Sequence, residues 1–189
     1  MTMLLSEALS VISANRGNRI VLPTMASVGE CPAISDSPLD FSYMPSAMGA
    51  GPALGLGLAL AQPGRGVIVI NGDGSMLMNL GSLVTLAQQS ANLYVVVIDN
   101  GLYEVTGGQP TAGTGRADFA ALARGAGIRR VYAFSDHQAW QAGANEALSG
   151  PGPVVIVLHV EGRTGQKTPR PPRPMAEQIE RLKKKLGVP

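Results

Sequence analysis

Three short runs constrain the architecture of this chain more than anything else in it: residues 67–70 (Val-Ile-Val-Ile), 94–98 (Tyr-Val-Val-Val-Ile) and 154–160 (Val-Val-Ile-Val-Leu-His-Val). A strand with one wet face alternates apolar and polar residues. These runs do not alternate, so they predict strands covered on both faces. Helical character lies between them, at residues 75–89, 118–126 and 136–148, with a further short strand at 129–132. Strands alternating with helices predict an α/β fold, a three-layer sandwich around a mostly parallel central sheet.

The flanking segments are read in the same way. Leu4, Leu5, Ala8, Leu9 and Ile12 recur at helical spacing, residues 15–18 are a polar break, and residues 20–22 form a short apolar strand. Residues 23–45 mix prolines and serines with scattered apolar residues, which predicts an irregular connection. Residues 49–61 are small or aliphatic on all sides, which predicts a buried helix. The stretch 162–174 is too rich in proline for regular structure, and 175–186 suits a terminal helix. We divide the chain into a domain at 1–162 and a Pro/Arg-rich tail at 163–189, whose helix packs on or near that domain.

Composition excludes several classes of function. A length of 189 residues suits one α/β domain, and 24 glycines suit a site built on tight turns. The formal net charge of +2 argues against nucleic acid, and the eight of fifteen Lys and Arg that lie from Arg163 onward read as a solvated tail. No stretch has the uninterrupted apolar length of a membrane span, and residues 1–22 lack a signal-peptide pattern, so a cytoplasmic location is expected. The single cysteine, Cys31, allows no internal disulfide and reads as an inert small residue.

Chemistry enters at Asn71-Gly72-Asp73-Gly74-Ser75, which follows the strand at 67–70. Asp73 then stands at a strand's carboxyl end, where ligands of open parallel sheets bind. Gly74 and Ser75 open a helix whose free N–H groups favour a phosphate. An isolated Gly-Asp-Gly is also a common turn. The second half is Asp99-Asn100-Gly101-Leu102-Tyr103, which places Asn100 27 residues beyond Asp73 and again just after a strand. Adjacent parallel strands bring Asp73 and Asn100 together. A carboxylate, an amide oxygen and a loop carbonyl are a partial hard-oxygen shell suited to Mg²⁺, with phosphate oxygens and water completing the octahedron.

Gly-Asp-Gly-Ser followed 27 residues later by Asn resembles the thiamine-diphosphate signature of the decarboxylase and acetolactate synthase superfamily, over residues 43–109. The resemblance implies thiamine diphosphate and Mg²⁺ as cofactors and a thiamine-diphosphate-binding fold. It implies metal ligands at Asp73, the Asn100 side chain and the Leu102 carbonyl. Gly72, Gly74, Ser75 and the backbone of Tyr103, Glu104 and Val105 would hold the diphosphate. Met48 falls 25 residues before Asp73 and matches the family's apolar wedge, which bends the cofactor into its reactive shape. The Ser46 carbonyl would accept from the cofactor's amino group.

Residues 99–111 are similar to the sulfopyruvate and phosphonopyruvate decarboxylases, the first of which can occur as separate alpha and beta subunits. The chain looks like a beta subunit, with Gln109 a candidate substrate contact and a small acidic 2-oxo acid as substrate. Its residues 24–30 lack the basic, glycine-rich pattern of those enzymes. The family's activating glutamate belongs to a pyrimidine-binding domain, which would take about 150 further residues. Glu7, Glu30 and Glu104 match no motif of that domain and are assigned surface or turn roles. A separate pyrimidine-binding, alpha-type subunit is therefore implied, together with at least a dimer of this chain. Arg163, Lys167, Arg170 and Arg173 are candidates for an acidic substrate group. The alternatives are an acetolactate-synthase-like carboligase subunit and a non-catalytic, cofactor-binding regulatory subunit. A ferredoxin-linked oxidoreductase lacks its cluster cysteines, and a nicotinamide-binding domain lacks its third glycine after Gly74.

Overall fold

The computed structural model describes residues 3–44, 48–165, 167 and 170–188. In chain order its elements begin with α1 (Leu5–Asn15), β1 (Ile20–Pro23), α2 (Ser27–Ile34), α3 (Gly51–Ala61) and β2 (Val67–Gly72). Next come α4 (Asp73–Leu77), α5 (Ser82–Ala87), β3 (Leu93–Asp99), β4 (Leu102–Tyr103) and β5 (Gln109–Pro110). The remainder is α6 (Phe119–Gly125), β6 (Arg130–Phe134), α7 (His137–Ala147), β7 (Val154–His159) and α8 (Met175–Leu186).

Five strands form one parallel sheet in the order β1-β2-β3-β7-β6. The unbroken apolar runs are explained by the pleat, which sends alternate residues to opposite faces. Leu93, Val95 and Val97 enter one core with Met76, Leu83, Phe119 and Leu182. Tyr94, Val96 and Ile98 enter the other with Leu9, Ile12, Trp140 and Ala144. Connectivity decides which helix goes where. The chain steps across the sheet from β1 to β6 with α3, α5 and α6 on one face. It then steps back to β7, and a right-handed crossover in that reversed direction puts α7 on the other face. The result is the three-layer α/β sandwich.

Several expectations need correction. Residues 23–45 are not wholly irregular. They contain α2, whose periodicity is masked by Gly29 and Pro32, yet Val28 is fully buried and Cys31 and Ile34 pack on the α1–α7 core. Tertiary burial overrides weak local propensity here. Burial also pushes the Cys31 thiol up to about 12, which keeps it from forming a reactive thiolate.

The single helix expected at 75–89 is two. The first ends at Leu77 and the second begins at Ser82, and in the turn between them the Asn79 side-chain amide donates to the Gly49 carbonyl at 3.1 Å. Helix α3 is not buried on all sides. Gly55 lets it lie against Val69 and Leu93, where a Cβ would collide with Val69, while Leu60 on its outer side is 51% exposed. The β4–β5 pair was not anticipated at all.

The segment after β7 is held at several points. The Arg163 guanidinium pairs with Glu30, Arg173 makes a two-pronged contact with Asp36 (2.7 and 2.8 Å), and Gln178 Oε1 accepts from the buried Ser42 N–H at 2.8 Å. Of the carboxylates assigned surface or turn roles, Glu104 does lie in a turn, while Glu30 lies half-buried in α2. Glu104 is buried, and each of the two has one buried carboxylate oxygen without a hydrogen-bond partner.

Candidate cofactor and metal site

The carboxyl ends of β2 and β3 open into a cleft. Every candidate cofactor or metal residue among the described residues lines it: Met48, Gly72, Asp73, Gly74, Ser75, Asn100, Leu102, Tyr103, Glu104 and Val105. Ser46 lies outside the described residues. Gln109 is exposed on β5 and is not among the lining residues, its side chain folding over Gly107.

The register that pairs Gly72 with Ile98 sets Asp73 and Asn100 one step beyond two adjacent strand ends. Asp73 is only 2% exposed. Burial pushes its carboxyl up to about 6, against the pull of the Gly74 N–H, the Thr111 hydroxyl and the Gly101 N–H, and the nearby Asp99 raises it further. Burial likewise holds Asp99 above the usual carboxylate range, with His159 Nδ1 beside it at 3.0 Å pulling it back. A buried carboxylate with a second one nearby is an environment that favours a cation. Asn100 Oδ1 accepts from the Leu102 N–H at 2.9 Å, an Asx turn that fixes the amide at the mouth of the cleft.

A buried polar network supports the first half of the signature. The Ser75 hydroxyl donates to Asn71 Oδ1 at 2.8 Å and accepts from the Gly49 N–H at 2.9 Å. Its side chain is therefore committed to the protein, and a phosphate at this helix start would meet backbone N–H groups rather than the hydroxyl. Thr24 Oγ1 lies 2.9 Å from the Ile70 carbonyl and 3.1 Å from Asn71 Oδ1. Gly74 is required by a close approach, because a Cβ there would run into the Tyr103 ring.

Sequence reasoning missed the opposite wall, made of Thr24, Met25, Ala26 and Ser27. Met25 adopts φ 51°, a backbone conformation that costs a non-glycine residue on the order of 1 kcal/mol and concentrates at functional sites. Nothing in residues 24–27 alone marks this. Thr111, hydrogen-bonded to Asp73 at 3.0 Å, was also missed as a site residue.

The donor set of Asp73, Asn100 and a backbone carbonyl is chemically apt for Mg²⁺. Among the described residues no three His, Cys, Asp or Glu form a metal-holding group. Phosphate oxygens of a cofactor and water would complete the shell around such an ion. No helix of the described residues is long and apolar enough to cross a membrane.

Comparison with known proteins identifies the family. Residues 31–158 match the family model described as thiamine pyrophosphate enzyme, C-terminal TPP binding domain. The chain is 35% identical over 175 residues to phosphonopyruvate decarboxylase of Streptomyces viridochromogenes, covering 92% of this chain and 43% of that protein. It is 44% identical over 130 residues to sulfopyruvate decarboxylase subunit beta of Methanothermobacter thermautotrophicus, covering 68% of this chain and 66% of the subunit. The fold is also that of a Rhodococcus jostii thiamine diphosphate-dependent 4-hydroxybenzoylformate decarboxylase, with a TM-score of 0.70 at 20% identity over 86% of this chain and 33% of the other. The chain therefore spans less than half of the phosphonopyruvate decarboxylase that it matches along most of its own length.

Proposed function

The chain belongs to the thiamine-diphosphate enzyme family, as a C-terminal cofactor-binding domain, and from that premise we propose that it is the diphosphate- and Mg²⁺-binding subunit of a decarboxylase acting on a small acidic 2-oxo acid. The observation that carries this reading is the meeting of Asp73, Asn100 and Leu102 in one cleft that also contains Gly74 and Met48. When bound, the cofactor supplies the electron sink that lets a 2-oxo acid lose CO₂. Asp73 and Asn100 would hold the metal, with the Leu102 carbonyl as third ligand. The N–H groups at the start of α4 would hold the diphosphate, where backbone donors favour an anion. Met48 would press against the cofactor as its apolar wedge. The substrate class, sulfonate- or phosphonate-bearing, rests on the names of the relatives at 35% and 44% identity.

The activating carboxylate would come from a separate pyrimidine-binding subunit. Leu60, Met78 and Val84, each half exposed or more on the α3–α5 side, provide apolar area of the kind that interfaces use. A cytoplasmic location fits this assembly. Calorimetric titration tests the cofactor reading. Thiamine diphosphate and Mg²⁺ together should bind far more tightly than either alone, and binding that is indifferent to metal would refute it. Coexpression with an alpha-type partner should produce CO₂ from sulfopyruvate or phosphonopyruvate. Robust turnover by this chain alone, with mass spectrometry excluding a partner, would overturn the split-site part.

A further inference from the structure

Thr111 lies 38 positions beyond Asp73 and outside both halves of the signature, yet it is joined to both. Its hydroxyl donates to Asp73 Oδ2 at 3.0 Å, and both residues are buried. Its N–H donates to the Gly101 carbonyl at 2.8 Å. The Thr114 hydroxyl donates to the same carbonyl at 2.7 Å and lies 3.2 Å from the Thr111 hydroxyl. The Thr111 methyl packs beside Gly74, 3.1 Å from where a Cβ would stand. The segment 111–114 therefore fastens the end of β2 to the turn after β3, and it occupies one named oxygen of the Asp73 carboxylate.

That occupancy has a chemical consequence. With Oδ2 held by a buried hydroxyl, and the Gly74 and Gly101 N–H groups also acting on the carboxylate, Asp73 is left to meet a cation through a single oxygen. Mg²⁺ demands a near-ideal octahedron at about 2.0–2.1 Å, to which one-oxygen ligation is suited, whereas Ca²⁺ takes six to eight oxygens at about 2.3–2.6 Å and accepts both oxygens of one carboxylate. We propose that Thr111 is a positioning residue that holds Asp73 in single-oxygen ligation and so biases the cleft toward Mg²⁺ over Ca²⁺. The inference rests on the cofactor reading above. It concerns metal choice, which that reading leaves open.

The test measures thiamine diphosphate affinity by calorimetry in Mg²⁺ and separately in Ca²⁺, for the unmodified chain, Thr111→Val, Thr111→Ser and Asp73→Asn, with the melting temperature of each cofactor-free protein. Loss of a group that orients a metal ligand costs about 10–100-fold in metal affinity. Thr111→Val should lose that much in Mg²⁺ and clearly less in Ca²⁺, so the Mg²⁺/Ca²⁺ preference falls about tenfold or more. Thr111→Ser keeps the hydroxyl and should retain the preference. Equal losses in both ions, or none, would overturn the proposal, as would a fall in melting temperature with an unchanged ion preference. If the unmodified chain binds the cofactor without regard to metal, or Asp73→Asn binds as well as it does, the cofactor reading itself fails and takes this inference with it. Loss of binding in Asp73→Asn together with an unchanged Mg²⁺/Ca²⁺ preference in Thr111→Val would leave the cofactor reading standing and overturn this inference alone.

Discussion

The two helical layers that flank the sheet are finished to different degrees. Beneath α1 and α7, Trp140, Ala144 and Ala147 are fully buried, and the Trp140 indole donates to the Ala8 carbonyl at 3.1 Å, so even the one polar atom of that ring is satisfied. On the opposite layer Leu60, Met78 and Val84 are 50–54% exposed, and the turn before α3 is tied into the cleft through Gly49. One layer is an interior closed on itself. The other carries the uncovered apolar surface, while the ligand cleft lies at the strand ends, with one wall, Thr24–Ser27, leading into α2 on the closed side. Substitutions on the two sides should then fail in different ways.

The largest effect belongs to the closed layer. Trp140→Ala should cost about 3–5 kcal/mol by emptying a packed site. Urea unfolding should register it as a shifted midpoint, and an unchanged midpoint would mean that the layer is not the stability core. Next comes Gly74→Ala in the cleft, at about 1–3 kcal/mol, because the added methyl meets the Tyr103 ring. Its cofactor affinity should fall as well, and a variant that melts early but still binds normally would break the link between Gly74 and the ligand.

Asp73→Asn should behave in the opposite sense, losing metal-dependent binding while the cofactor-free protein becomes more heat-stable. The sign follows from a carboxyl raised from 3.8 to about 6, chiefly by burial. A group raised in the folded state stabilises it fully below its unfolded value, and that contribution is lost as pH rises through about 6. Metal needs the ionised form, so Mg²⁺-dependent affinity should weaken about tenfold per pH unit below 6 and level off above it. A flat pH profile between 5 and 7 would mean that burial does not hold the Asp73 carboxyl near 6.

Smallest in stability is the open layer. Leu60→Ser and Val84→Ser should change the free energy of the isolated chain by no more than about 0.5 kcal/mol. Size-exclusion profiles of the coexpressed complex should nevertheless change, and an intact complex with both substitutions would remove this surface from the interface.

What could be read from the sequence follows the same division. The strands at 67–70, 94–98 and 154–160 are legible because burial on both faces writes an unbroken run, and their ends place Asp73 and Asn100 without further information. Helix α2 is not legible, since Gly29 and Pro32 hide its period and only packing of Val28, Cys31 and Ile34 fixes it. The Thr24–Ser27 wall follows from that helix and was lost with it. The break in the expected helix at 75–89 is hidden too, since the turn after Leu77 carries Asn79, whose side chain reaches Gly49 across 30 residues. Thr111 is invisible for a similar reason: a hydroxyl's partner 38 residues away leaves no periodicity to find. The exposure of Leu60 escapes because an all-aliphatic helix looks the same whether its outer side meets solvent or a partner.

The sheet order carries a consequence for how the molecule is made. β7 sits between β3 and β6, so β3 has its mature neighbour on that side only after residues 154–159 have left the ribosome. Until then an apolar strand of seven residues presents an open edge, the arrangement most prone to wrong pairing during slow, long-range assembly. The later contact of Gln178 with Ser42, 136 residues apart, and the burial of Leu182 beside Leu39 and Phe41 extend that wait to α8. A ribosome stalled before residue 154 would therefore hold a chain that already contains both halves of the metal signature and no stable frame to hold them in, and chaperone demand should peak over that interval of synthesis.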